Sequence, residues 1–387
     1  MGRLDSGADI GIGFAEISGI HLISADTMKS LSTSIRAAVA AASIACALPA
    51  TAADSLGREF KPTKWPAPEV ARAHQVHGFV ERHDGAMDTL IAPGTEMEKL
   101  AEGFNWSEGP TWLHREKKVV FSDVPENIIY EWSEKDGLKT FLKPSGYTGT
   151  SLNFREQGSN GLTTDRGGNL VVCQHGDRRI SRYDGNGRFT PLATTFGLRK
   201  FNSPNDLVFD RRGNLYFTDP PYGLHGLNES PLKELLFNGV YLRRTSGEVV
   251  LLTREMTFPN GIALSPDEKT LYVNQSDGAK PVVMAFPVKP DGTVGEGKVF
   301  FDAAPLAAKG LKGMPDGLKV DVRGNLWATG PGGVLVIAPD GHLMGILKTG
   351  EATGNCCWGD DGSTLYITAD MYLLRIRTLT KGHGFAR

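Results

Sequence analysis

The chain has 387 residues, 40% of them apolar and 22% charged, with a formal net charge of −2. That composition folds, and the near-zero charge excludes binding to nucleic acid or to an anionic membrane by bulk electrostatics. Glycine, at 47 residues, is about 12% against a usual value of roughly 7%; with no collagen period, this excludes a helical bundle, a coiled coil and a multi-span membrane protein, and points to many turns between short strands.

Residues 1–27 read as an over-extended start. From Met28 the chain has the layout of a secretory signal peptide. Lys29 and Arg36 supply positive charge, Ala37 to Leu48 an apolar stretch, and Ala50-Thr51-Ala52 a small-residue cleavage pattern. A signal over 28–52 implies a periplasmic or secreted protein with no membrane attachment after cleavage. Cleavage after Ala52 leaves 335 residues, enough for one large β domain. Residues 53–95 form an N-terminal segment expected to pack on that domain, which spans 96–387. Cys173, Cys356 and Cys357 make no disulfide framework and read as small apolar strand residues.

Six segments then share one plan: a polar residue, an apolar strand, a turn and a second strand. The leading residues are Glu108, Asn160, Asn205, Asn260, Asp316 and Asn355. Turns such as Asp165-Arg166-Gly167-Gly168 and Asp210-Arg211-Arg212-Gly213 follow, then strands such as Leu170-Val171-Val172 and Leu215-Tyr216-Phe217. Offsets from leading residue to second strand are 11, 10, 10, 11, 10 and 10, and successive leading residues lie 52, 45, 55, 56 and 39 positions apart. Such a period, with several strands per unit, predicts an all-β fold: a six-bladed β-propeller with four-stranded blades around a central metal-binding channel. Residues 96–101 are expected to pair with the last blade and close the ring.

In a propeller the first strand of each blade lines the channel. All six leading residues carry a side-chain oxygen and none a positive charge, a donor set suited to a hard cation. Ca²⁺ is the expected ion, with Zn²⁺ or Mn²⁺ as alternatives. Each Asn-Gly or Asp-Gly pair alone would be an ordinary turn; six in one register argue for a shared site. Second-strand ends return to the same mouth, which adds His175 and Asp219 as candidates for proton transfer or substrate contact, beside Asn160, Asn205 and Asn355. The insertion from Tyr222 to Asn238 reads as a lid or a surface loop.

At these positions the sequence resembles the gluconolactonase / regucalcin (senescence marker protein) family, in its bacterial gluconolactonase branch. The likeness rests on SEGPTW at 107–112, NGLTTD at 160–165, NSPNDLVFD at 202–210, YFTDPPYG at 216–223, FPNGIALSPD at 258–267 and MPDGLKVD at 314–321. The resemblance implies a metal held by Glu108, Asn260 and Asp316, with Asn205 touching substrate or water and Asp316 acting as general base. It also implies hydrolysis of a sugar lactone such as glucono-1,5-lactone to the aldonic acid. The regucalcin branch carries an Arg two residues before the pocket Asn, where this chain has Ser203. A related calcium-dependent esterase acting on aryl esters or acyl lactones, and a non-catalytic ligand-binding propeller, are the alternative expectations. Monomer and dimer stay equally open.

Overall fold

Strands such as Val119-Val120-Phe121 and Val171-Val172-Cys173 are apolar on both faces, so each must be covered twice. The architecture does this by standing sheets side by side. In the computed structural model, residues 68–150 and 154–385 are described; the expected start and signal segments, and residues 53–67 of the N-terminal segment, lie outside them. Blade 1 comprises Ser107–Leu113, Lys118–Asp123, Ile128–Ser133 and Gly137–Leu142. Blade 2 comprises Ser159–Thr164, Leu170–Gln174, Arg179–Gly185 and Arg188–Ala193. Blade 3 comprises Leu207–Phe209, Leu215–Asp219, Gly239–Arg243 and Val249–Thr253. Blade 4 comprises Pro259–Leu264, Thr270–Gln275, Val282–Pro287 and Lys298–Asp302. All are antiparallel meanders.

The last two blades depart from the four-stranded plan. Blade 5, built from Leu318–Val320, Leu326–Gly330, Gly333–Ile337 and Leu343–Lys348, gains Phe79–Arg82 as a fifth, outer strand. Blade 6 contains Thr353–Gly359, Thr364–Ala369 and Tyr372–Arg377 from the C-terminal end. Met97–Glu102 then adds as its fourth strand and Glu69–Val76 as its fifth. The ring is therefore a six-bladed β-propeller, closed by an N-terminal strand on the C-terminal blade.

Six separate apolar clusters fill the six seams between neighbouring blades. Strand alternation sends successive residues to opposite seams. Val119 and Phe121 pack toward blade 6, whereas Val120 packs toward blade 2. Cys356 faces the seam with blade 5 and Cys357 the seam with blade 1. Both, like Cys173, are buried free thiols. Hairpins on the far side are held by Asp side chains: Asp210 Oδ1 accepts from the N–H groups of Arg212 and Asn214, both at 2.8 Å, and Gly213 supplies the φ of 89° that the turn requires.

Candidate active site

With the seams apolar, the axis is left for polar side chains. In four blades the register slips where the inner strand begins: between Glu108 and Thr111, Ser159 and Leu162, Pro259 and Ile262, and Thr353 and Asn355. A bulge takes a side chain out of the strand's alternation. Asn205 and Asp316 stand two residues ahead of short inner strands. All six leading residues are between 1 and 5% exposed.

Two belts of second-strand side chains hold them there. At the next-to-last position of four second strands, a donor reaches the next blade's leading backbone: Ser122 Oγ to Asn160 O (2.9 Å), Thr218 Oγ1 to Asn260 O (2.7 Å), Asn274 Nδ2 to Asp316 O (2.7 Å) and Thr329 Oγ1 to Gly354 O (2.9 Å). At the next position, Asp123 accepts from the Asn105 and Trp106 N–H groups (3.1 Å each), Asp219 Oδ2 from the Asn202 N–H (2.8 Å), and Gln275 Oε1 from the Phe258 N–H (3.3 Å). These bonds grip the connection two or three residues before Glu108, Asn205 and Asn260. Burial pushes the Asp123 and Asp219 carboxyls up to about 7, against the pull of those N–H donors.

The glycines after the leading residues let the blades meet. Gly161 N donates to Asn205 O (2.7 Å) and Gly261 N to Asp316 O (2.9 Å). A Cβ on Gly161 would lie 2.4 Å from Asn205 O, and one on Gly261 2.2 Å from Asp316 O. Around the axis, Glu108 borders blade 6, its Oε1 lying where a Cβ on Gly354 would point, while its Oε2 accepts from the Gly109 N–H (2.9 Å). Asp316 and Asn260 meet at the blade 4–5 seam. The Asn260 amide has one orientation: Ser276 Oγ donates to Pro315 O, so it can only accept from Asn260 Nδ2 (2.9 Å). The amide nitrogen is thereby fixed on Ser276 by one of its two N–H donors, and the carbonyl oxygen is the end turned elsewhere.

Three of the expected contacts are buried and engaged with other parts of the chain. Asp219 is fully buried and gives its carboxylate to backbone, so it positions the Asn205 connection instead of meeting solvent. His175 is also fully buried, 3.8 Å from Glu156 Oε2, under a cover in which Gly223 packs on its Cβ. Asn355 turns its amide to Lys319 and Asp206. Asp206 carried a signal in the sequence, since it interrupts the glycine register of Gly109, Gly161, Gly261 and Gly317. Lys319 puts a cation beside the ring, where the leading residues alone suggested none. The 222–238 insertion is packed at its start: Tyr222 and Leu224 are buried, and Tyr222 stacks on Phe258, two residues before Asn260.

This ring coincides with a family pattern. The model described as the SMP-30/Gluconolactonase/LRE-like region matches residues 106–370, from just before Glu108 into the sixth blade. The chain belongs to this family. It is 38% identical to a gluconolactonase of Zymomonas mobilis over 317 residues, 79% of this chain and 87% of that one. A solved gluconolactonase structure from Xanthomonas campestris superposes with a TM-score of 0.69 at 29% identity, covering 80% and 98% of the two chains. Regucalcin from Agrobacterium tumefaciens, at 20% identity and a TM-score of 0.55 over 72% and 92% of the chains, shares the fold.

Within the SMP-30/gluconolactonase ring, the fixed Asn260 amide is the observation that tests a metal. Its carbonyl oxygen, taken with the Glu108 and Asp316 carboxylates of the same ring of leading residues, makes an all-oxygen donor set whose chemistry fits a hard divalent cation. Among the described residues no three His, Cys, Asp or Glu side chains cluster to hold an ion, so a cation here draws on amide oxygen. Ser203 does not replace the Arg of the regucalcin branch. It is buried, donates to Pro220 O (2.6 Å) and accepts from the Gly223 N–H (2.9 Å), which fastens the insertion.

Proposed function

We propose that this protein hydrolyses an aldonolactone such as glucono-1,5-lactone with the aid of a divalent cation, Ca²⁺ first among the candidates, held by Glu108, Asn260 and Asp316. It is a lactone-hydrolysing enzyme, a carboxylic ester hydrolase; the substrate, the ion and the residue roles are the proposal. The observation that supports it is the Ser276–Asn260 lock, which turns the amide oxygen away from Ser276 at a leading position whose counterparts include two buried carboxylates.

When bound, the cation would polarise the lactone carbonyl and make a water molecule more acidic. Asp316 takes the proton of the attacking water. As a carboxylate beside a cation it is a weak base, so its contribution is mostly orientation and proton transit. Asn205 and Asn160, held by the backbone belts, offer amides to the lactone oxygens; Asn355, whose amide oxygen already accepts from Lys319 and the Cys356 N–H, has only an N–H to offer. Glu108 would offset the charge of the cation.

A pH-stat assay with glucono-1,5-lactone, other aldonolactones and aryl esters, before and after chelation, tests the proposal. Aldonolactone turnover lost on chelation and regained on adding one ion supports it. Turnover that survives complete metal removal refutes the metal role, and a preference for aryl esters refutes the substrate. Export is proposed from the signal-type segment 28–52, and the N-terminal sequence of protein recovered from the periplasm or medium would decide it.

A further inference from the structure

From the leading residue Asn355, a bridge joins opposite blades. Asp206 of blade 3 is 2% exposed. Its Oδ2 accepts from Asn355 Nδ2 of blade 6 (3.3 Å) and lies 3.8 Å from Lys319 Nζ of blade 5. Lys319 Nζ donates to Asn355 Oδ1 (3.1 Å) and to Leu318 O (3.0 Å). The Asn355 oxygen also takes the Cys356 N–H (2.9 Å), and Asp206 Oδ1 takes the Leu207 N–H (2.8 Å). In a six-membered ring blades 3 and 6 face each other, so the Asp206–Asn355 bond crosses the axis.

The bridge abuts the site. A Cβ on Gly317 would lie 2.0–2.4 Å from the Asn355 amide atoms, so that amide is wedged against the residue that follows Asp316. Gly317 N in turn donates to Gly354 O (2.7 Å), next to Glu108. We infer that Lys319 is a positioning residue: by tying Asn355 to Asp206 it floors the channel and fixes the backbone beneath Asp316. For its kinetic consequence this rests on the lactonase reading; for its structural consequence it does not. Without the ammonium, the Asp206 carboxylate and the Asn355 oxygen lose their charged partner in a buried place and recruit water. Asn355 then no longer braces Gly317.

The test compares wild type, Lys319→Met and Lys319→Arg by lactone kinetics and by hydrogen exchange of peptides spanning 313–320 and 352–358. Lys319→Met is expected to lower kcat at least about tenfold with KM within about threefold, as for a misplaced reacting group. Exchange should quicken in those two peptides and stay unchanged in blade 2. Lys319→Arg, which keeps a cation, should recover a large part of kcat. If Lys319→Met does not fold, Asp206→Asn, which keeps the shape and removes the charge, is measured with the same expectations. A kcat within twofold of wild type, unchanged exchange in the two peptides, or a kcat loss matched by lost folded protein overturns the inference. A wild type that hydrolyses no lactone, with exchange still raised in Lys319→Met, counts against the lactonase reading and leaves the bridge standing.

Discussion

Gly261→Ala puts one methyl group where blades 4 and 5 meet. The added Cβ would stand 2.2 Å from Asp316 O and 2.7 Å from Gly317 Cα, so the strands must part by about 1 Å to reach ordinary contact. That separation breaks the 2.9 Å bond from Gly261 N to Asp316 O and disturbs the 2.7 Å bond from Asn274 to the same oxygen. At about 1 kcal/mol per hydrogen bond and about 1–3 kcal/mol for overpacking, the cost is about 2–4 kcal/mol. The displaced backbone carries Asp316, and a 1 Å error at a reacting group lowers turnover about 10²-fold. Urea unfolding reads the first number and lactone turnover of the folded protein the second. Gly85→Ala is the control, because its Cβ meets nothing within 4 Å. A Gly261→Ala protein within about 0.5 kcal/mol of wild type, with unchanged kcat, would refute the close-approach argument.

Asp316→Asn should lose about 10²–10⁴ of kcat, the usual worth of a proton-transfer group, while circular dichroism stays that of the propeller. Glu108→Gln should weaken divalent-ion binding, measured by calorimetry, without unfolding the chain. Ser276→Ala releases the Asn260 amide and should weaken ion binding about 10–100-fold, as loss of a residue supporting a ligand does. For Asp219, a folded value raised to about 7 means that between about pH 4 and 7 the folded chain keeps a proton that the unfolded chain has released. This carboxyl therefore subtracts stability as pH rises through that window and adds no further change above it. Asp219→Asn keeps an acceptor for the Asn202 N–H and should flatten the fall in urea midpoint between pH 4.5 and 7.5; an unaltered slope would contradict the buried-carboxyl account.

The ring was legible in the sequence because its signals are local. A polar residue, a turn Asp such as Asp210 and an apolar pair recur at offsets of 10 or 11, and six such copies imply six blades. Roles decided by a neighbouring or opposite blade were not legible. Nothing beside Asp219 reveals that its carboxylate grips Asn202, and nothing beside Asn355 reveals Lys319 or the partner 149 positions away. Asp206 was readable in principle as one of two breaks, with Cys356, in a glycine register. The outer strands Glu69–Val76 and Phe79–Arg82 belong to no repeat copy, so the period could not place them.

Closing the ring with Met97–Glu102 has a consequence for biosynthesis. That strand leaves the ribosome early, while its partner Tyr372–Arg377 follows some 270 residues later. At about 5–20 residues per second, its edge waits about 15–55 s for that partner. Three of its six residues, Glu98, Lys99 and Glu102, are charged, which discourages pairing with other chains in the interval. Glu98 finds Arg375 at 2.7 Å only when the last blade arrives. The edge that completes the propeller is thus equipped to stay unpaired until the rest of the molecule has been made.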